Sequence, residues 1–460
     1  TDNSVKLGYL VPNAVNDANI NSLRCGGNTT FTNVYVGTLD DYSYTKEGVA
    51  NSINPVVTTD KVASRDLKIL YDLTNNKQET TFNEIFSSWK SVSYWSLRHE
   101  KYFPLLTNEG VENYIIIETA KDMEMIASNP DGKFLVVNDI QMSNLNQNWV
   151  FDINFTGELI GLIDSASNTR KKIYNISLTP NSVNSSGFFR QTTGATVADL
   201  EFVWLDDGNG AINPTANNIK QLTSVAGLSC LDEPYLDGEK TRTSEFSNIE
   251  ISVSGGNGYF VKQPDDAEKE FSATTFAGLV ASTKNSTITN CDFVGKADIN
   301  LTGNESGQSY FGGLVGVASK GSEEELTDKS MSIMNSNIGA DGENTSKKTT
   351  AFTINVVGGT EAVIGGFIGS AENASVWGAN VGGINYINDS YKQIPLNITI
   401  SNELADNSTQ SIGGLIGNAS NTAISRCDTN TTILVDGGSV EKTYNTTIGG
   451  LVANYANTSI

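Results

Sequence analysis

The apolar positions of this chain recur in a fixed phrase. Residues 411–427 read SIGGLIGNASNTAISRC: an apolar run interrupted by two glycines, a small polar turn, then a second apolar stretch. Aligned on the second glycine, the phrase returns at Gly278, Gly313, Gly366, Gly414 and Gly450, with weaker copies at Gly8 and Gly187. The next residue is Leu279, Leu314, Phe367, Leu415 or Leu451. Ten residues after the glycine stand Ile288, Val376, Ile424 and Ile460, with Val197 in the weak copy at Gly187. The Gly313 copy reaches Ile333 only after an acidic insertion at Glu323, Glu324 and Glu325. Three positions further on are Cys291, Ser336, Ala379 and Cys427. Successive copies lie 35, 53, 48 and 36 residues apart. A constant phrase at a variable interval predicts insertions between fixed structural segments.

Two apolar segments joined by a polar corner, repeated with the same columns, predict an all-β chain folded as a parallel β-helix (a solenoid). Each turn buries the same positions, and the next stacks on it about 4.8 Å away. The glycines let the strand bend, or let another segment lie close against it. Val280, Val315, Ile368, Ile416 and Val452 make the opposite strand face apolar as well, which predicts a second covering layer. A string of small β-sandwich modules is the competing architecture.

The pattern changes period once. Residues 114–142 read as strand, helix, turn, strand. Thr119 with Asp122 forms a capping-box-like start, Met123, Met125 and Ile126 make an apolar face, and Asn129-Pro130-Asp131-Gly132 stops the helix. This short helix, near 119–128, would cover an open strand edge at the head of the stack. Upstream, the aromatics Trp89, Trp95, Tyr102 and Phe103 are dense enough to plug the end of a coil rather than to form a sugar-binding platform.

Composition narrows the function classes. The chain has 460 residues, with 30 basic and 52 acidic side chains and a net charge of −22. That charge repels a phosphate backbone and an anionic membrane, so neither nucleic acid nor membrane insertion is expected. No apolar run is long enough to span a bilayer. Wealth in Asn, Ser, Thr and Gly suits turns and a secreted protein. No signal peptide opens the chain, so Thr1 reads as a mature or trimmed start. Cys25, Cys230, Cys291 and Cys427 are too widely spaced for a zinc site and His99 is the only histidine. Cys291 and Cys427 share a column about three coils, or ~14 Å, apart, out of disulfide reach. They read as buried thiols.

Catalytic motifs are missing: there is no HExxH, GxSxG or P-loop pattern. The acidic pairs Asp206-Asp207, Asp232-Glu233 and Asp265-Asp266 could serve a carbohydrate-active β-helix only if carboxylates faced each other across about 5–10 Å. Flanking turn residues make solvated turns the plainer reading. No cofactor is expected; calcium, which takes oxygen ligands from such turns, is the one structural metal they leave open. Sixteen N-x-S/T sequons occur among 51 asparagines. Most read as turn chemistry. Asn28, Asn154, Asn285, Asn373, Asn407 and Asn418 are candidate glycosylation sites.

The phrases GGLIG, GGLVG and GGFIG, followed by a small turn and the Ile-x-x-Cys of Ile288/Cys291 and Ile424/Cys427, resemble GLUG-motif repeats. The resemblance covers residues 278–460 at least, and 114–204 in weaker form. Such repeats occur in secreted or surface-attached, mostly bacterial, adhesin-like proteins and upstream of IgA1-protease-type metallopeptidases. By the same resemblance residues 114–142 look like a segment that opens an array, 155–178 like its first coil, and 86–106 like a closing segment. The chain then divides into the tail of one array, 1–106, and a second array, 107–460. Ile460 has no capping sequence after it, which implies a longer parent protein or ends that stack on other copies. What the resemblance implies is an extracellular, non-enzymatic structural or adhesive segment. It would be a rigid rod offering insertion loops such as 320–329 and 233–242 to a protein or glycan ligand, or joining head to tail into a surface fibre. The alternatives are a non-catalytic region of a large secreted metalloprotease and a carbohydrate-active β-helix enzyme.

Overall fold

Three long parallel sheets account for most of the structure, a computed structural model that describes residues 114–142, 153–162, 169–180, 185–237, 240–321, 330–339, 350–387, 390–402, 408–436 and 444–460 and the backbone of four short strands before them. The chain divides into two compact units, Thr1–Tyr114 and Ile115–Ile460. In the first, Val34–Thr38 pairs in parallel with Val62–Asp66, and Trp95–Ser96 pairs antiparallel with Leu105–Leu106. The weak copy at Gly8, the aromatic side chains of 86–106 and His99 lie outside the described residues.

Among its described residues the second unit is all-β apart from one α-helix and two 3-10 turns. One recurring chain path builds it, seen clearly in the stretch Ala351–Val356, Glu361–Gly365, Ile368–Glu372, Ala374–Trp377 and Asn380–Val381. Its first two strands join sheet 3, the third joins sheet 2, and the last two join sheet 1. The chain then returns to sheet 3 one level on, at Leu396–Asn402. Among the described residues every strand pairing between successive passes is parallel, so each level satisfies strand backbone of the one before it.

The columns read from sequence are the registers of these ladders. In sheet 1, Ile115, Phe134, Leu159, Val197, Phe246, Ile288, Ile333, Val376 and Ile424 pair in sequence across nine levels. Ile333 takes its place despite the insertion before it. The leucine column is linked by backbone bonds from Leu279 N–H to the Leu314 carbonyl, and on through Phe367 and Leu415 to Leu451, each 2.9 Å. Sheet 3 stacks Val225, Phe276, Phe311, Ile364, Ile412 and Ile448 in the same way. Apart from Ile448, these side chains share one apolar core. Stacking is what buries them: Ile412, covered on both sides, is 0% exposed, whereas Ile448 in the last described level is 55% exposed.

A Cβ on Gly278, Gly313, Gly366 or Gly414 would overlap the carbonyl oxygen of Gly313, Gly366, Gly414 or Gly450 respectively, one level on. A Cβ on the first glycine of each pair, Gly312, Gly365 or Gly413, would overlap the carbonyl oxygen three residues later, at the start of the next strand. One glycine therefore admits the neighbouring level, and the other admits the bend from sheet 3 to sheet 2. That bend also removes the need for a second layer. Leu279 and Val280, with Leu314 and Val315, Phe367 and Ile368, Leu415 and Ile416, all enter the same core, because strand alternation is broken at the corner. A further copy, Ala226-Gly227-Leu228, escapes the sequence alignment although it matches Ala277-Gly278-Leu279; its glycine faces the Gly278 carbonyl.

The helix α1, Ala120–Ser128, sits between the first two strands of sheet 1, Ile115–Ile117 and Lys133–Val136. The Asp122 carboxylate accepts from the Thr119 N–H at 2.8 Å, the Thr119 hydroxyl at 2.9 Å and the Glu118 N–H at 3.1 Å. Met123 and Ile126, three residues apart, are buried in the core, but Met125 is 40% exposed, because it lies on the opposite side of the helix. Asp122→Ala is expected to cost about 1 kcal/mol, the usual worth of a helix N-terminal cap, read as a lower urea midpoint with unchanged slope. An unshifted midpoint would mean the box contributes nothing.

Insertions fall at the junctions between sheets. An antiparallel hairpin, Tyr235–Asp237 with Lys240–Arg242, lies between sheets 2 and 1, within the loop expected at 233–242. A second, Gly383–Ile387 with Ser390–Ile394, lies between sheets 1 and 3. Most of the 320–329 loop lies outside the described residues.

Candidate functional site

The corners explain the richness in asparagine. Asn285, Asn373, Asn421 and Asn457 have φ between +48° and +56° at the passage from sheet 2 to sheet 1. Asp199, Asn248, Asn290, Asn335, Gly378 and Arg426 repeat the left-handed conformation within sheet 1, level after level. Outside glycine, Asn tolerates this region best. Since Ser or Thr follows two places later at several of these corners, sequons arise from the same geometry.

The candidate glycosylation asparagines separate accordingly. Asn373 is exposed at its corner. Asn285 is 1% exposed and its Oδ1 accepts the Gly321 N–H at 2.6 Å. Its inward orientation is the corner's own hydrogen bonding. Asn154 is half-buried and accepts from the Thr193 hydroxyl at 3.0 Å. Asn418 is half-buried beside Glu361. Asn28 and Asn407 lie outside the described residues.

Of the acidic residues expected in solvated turns, Asp206 and Asp232 are instead buried. Asp206 is 2% exposed and accepts four backbone N–H groups: Gly208 at 2.8 Å and Gly210 at 3.1 Å on Oδ1, Asn257 at 2.9 Å and Tyr259 at 3.0 Å on Oδ2. Burial alone would raise its pKa, but these four bonds outweigh it and hold the carboxyl below its usual range. It ties two consecutive levels together and has no face turned to a substrate. Asp232 is fully buried among hydroxyls, those of Thr192 and Thr283 each at 2.7 Å. Asp265-Asp266 is a surface turn, where Asp266 caps a short 3-10 helix through the Glu268 N–H at 3.1 Å, and Asp207, exposed beside Asp206, accepts the Asn209 N–H at 3.0 Å in a turn of its own. No two of these carboxylates share hydrogen-bond partners.

Outward charge on sheet 1 is stitched rather than open. Glu201, Glu250 and Asp292 stand at successive levels. Lys172 pairs with Glu201 at 2.9 Å, and Arg170 reaches Asn248 at 2.8 Å, Glu250 at 3.3 Å and Asp292 at 3.9 Å. Among the described residues no group of three or more His, Cys, Asp or Glu side chains could hold a metal ion. No helix among them is long and apolar enough to cross a membrane.

Three described cysteines are free thiols. Cys291 is buried, and burial pushes its thiol up to about 12. Cys427, expected to be equally buried, is only half so; its level is covered on one side by the last residues alone. Cys230 packs with Ala226, Ala277 and Ala281 in a small satellite cluster where sheets 2 and 3 meet. Ala226 and Ala277 there occupy the position of the first glycine of the later Gly-Gly corners, and Ala281 that of Gly316, a relation complete only once Gly227 is aligned. Cys25 lies outside the described residues.

In comparison with known proteins, the chain matches no family model, and no curated protein matches its sequence.

Proposed function

We propose that residues 115–460 are a parallel β-solenoid serving as an extracellular, non-enzymatic structural or adhesive segment: a stiff rod that presents corner hairpins to a protein or glycan on a host or neighbouring cell. The observation carrying this reading is the nine-level column from Ile115 to Ile424, kept in register while insertions collect at the junctions. At about 4.8 Å per level, such a stack is roughly 40 Å long. Loops carried on it can vary without disturbing the core. The hairpin at 235–242 has interface chemistry: Tyr235 and Leu236 are 37% and 45% exposed, and the Arg242 guanidinium lies 5.2 Å from the centre of the Tyr235 ring. The resemblance to GLUG-motif repeats supports a secreted setting, with glycosylation at exposed corners such as Asn373. Joining of copies into a fibre is a variant of the same scaffold role.

The test replaces residues 235–242 by a short corner like that of the next level, Asn285-Ser286, and compares the variant with the wild type. Binding is measured on protein and glycan arrays and on cell monolayers. The variant is expected to keep its β-rich circular dichroism and melting temperature while losing binding. A wild-type protein that binds no surface and releases reducing ends from a polysaccharide panel would replace this reading with the enzymatic one.

A further inference from the structure

One buried group has no role in the scaffold as such. Asp232 occupies a core-facing column of sheet 2 that runs Thr192, Asp232, Thr283, Ala318, Ala371 and Ala419. Later levels fill the position with alanine and pack well, so the fold does not require an acid there. At this level the carboxyl, 0% exposed, is enclosed by hydroxyls: Thr192 and Thr283 at 2.7 Å, together with Ser286 and Ser244 from the two adjoining corners. Ser229 extends the cage through Thr192 at 2.9 Å. The partners come from three consecutive levels.

Among the described side chains no cation answers this carboxyl. The charged residues with described side chains that flank it on the surrounding elements are Arg190, Glu233, Arg242, Glu245 and Lys284. Arg190 stands in the register of Cys230, at the meeting of sheets 2 and 3. Glu233 and Lys284 pair with each other at 3.1 Å, one residue along from Asp232 and Thr283 and therefore on the opposite strand face. Arg242 bonds the Thr156 carbonyl at 2.7 Å, and Glu245 is exposed. A dry carboxylate with hydroxyl donors alone is poorly compensated, whereas a carboxylic acid is at home in the same cage, since hydroxyls can accept as well as donate.

We propose that Asp232 is a pH-responsive clamp: on mild acidification it takes up a proton from solvent inside its hydroxyl cage, and the three levels it joins then hold more tightly against unfolding. Burial is the main cause that pushes this carboxyl up to about 6, opposed by the hydroxyl bonds. The folded state therefore retains the proton in a range where the unfolded chain, with an ordinary aspartate near 4, has released it. The contribution is fully present below that ordinary value and is lost as pH rises through about 6.

The experiment is denaturant unfolding of the full chain at roughly pH 7.5 and pH 5, wild type against Asp232→Asn, where linkage predicts about a tenfold larger folding constant at the lower pH for the wild type relative to the variant. Asp232→Ala, which installs the residue of the later levels, should abolish the same pH response. The comparison with the variants removes the general effect of neutralising a net charge of −22. In the wild type alone, hydrogen exchange corrected for intrinsic rates should slow at acid pH in residues 229–233 and 280–286. Residues 361–372, with Ala371 in the column, serve as the reference. Parallel pH profiles for wild type and Asp232→Asn, or equal exchange changes in the two segments, would overturn the clamp.

Discussion

Gly366→Val is expected to destabilise the second unit by about 3 kcal/mol or more, as overpacking against fixed backbone does at the upper end of its range. The inserted Cβ would overlap the Gly414 carbonyl oxygen, an atom of the next level's main chain that cannot turn aside as a flexible side chain could. Relief requires the levels to separate at this corner. That would lengthen the 3.1 Å bond from the Gly366 N–H to the Gly413 carbonyl and the 2.9 Å bond from Phe367 to Leu415. Gly450 supplies the control. It occupies the same column, but a Cβ built there meets nothing within 4 Å. Gly450→Ala should therefore stay within about 0.5 kcal/mol of the wild type, like an ordinary surface change. In a stacked array a local break need not unfold the whole, so hydrogen exchange in residues 361–372 and 408–420 should accompany the urea midpoint. If Gly366→Val and Gly450→Ala behave alike, the glycine column has no packing role.

The contrast between these two glycines indicates what a sequence can disclose about such a fold. The Leu and Ile columns are legible because burial selects side-chain type at each level, and Ile333 keeps its place even after an insertion. Depth is harder. A pair of apolar neighbours such as Leu279 and Val280 looks like a strand covered on both faces, yet a bend at the preceding glycine sends both into one core. Asn335 and Asn373 carry a backbone requirement that is invisible as hydrophobicity, since the left-handed corner leaves only an excess of asparagine behind. The carboxylates were the least legible part. Asp206 and Asp232 stand beside turn residues in the sequence, and their partners lie far along the chain, at Asn257 and Tyr259 for one and at Thr192 and Thr283 for the other. Nothing in the local spacing separates a carboxylate held by main-chain N–H groups from one caged by hydroxyls.

Phe276→Ala is expected to cost about 3–5 kcal/mol, the usual range for removing a buried aromatic ring. Phe276 is 0% exposed and lies in the sheet 3 column between Val225 and Phe311. Its ring stacks on Phe311 at 4.8 Å with a 9° interplanar angle, and meets Phe260 edge-on at 6.1 Å and Phe352 at 6.5 Å. Truncation leaves a cavity between two levels whose backbones are fixed by parallel ladders, so the walls can collapse only a little. Aromatic pairing adds about 0.5–1.5 kcal/mol beyond area burial, so the larger part of the loss is volume. Phe276→Ile, which installs the side chain that Ile364 and Ile412 provide in later levels, should recover part of the stability because it refills the column. Thr353→Ala, at an exposed position on the same sheet, should be close to neutral. Urea midpoints for the three variants order the outcomes: Ala at Phe276 lowest, Ile intermediate, and Thr353→Ala near the wild type. A Phe276→Ala midpoint indistinguishable from that of Thr353→Ala would mean that the column is not a dry interior, and the rod proposed from it would fall with it.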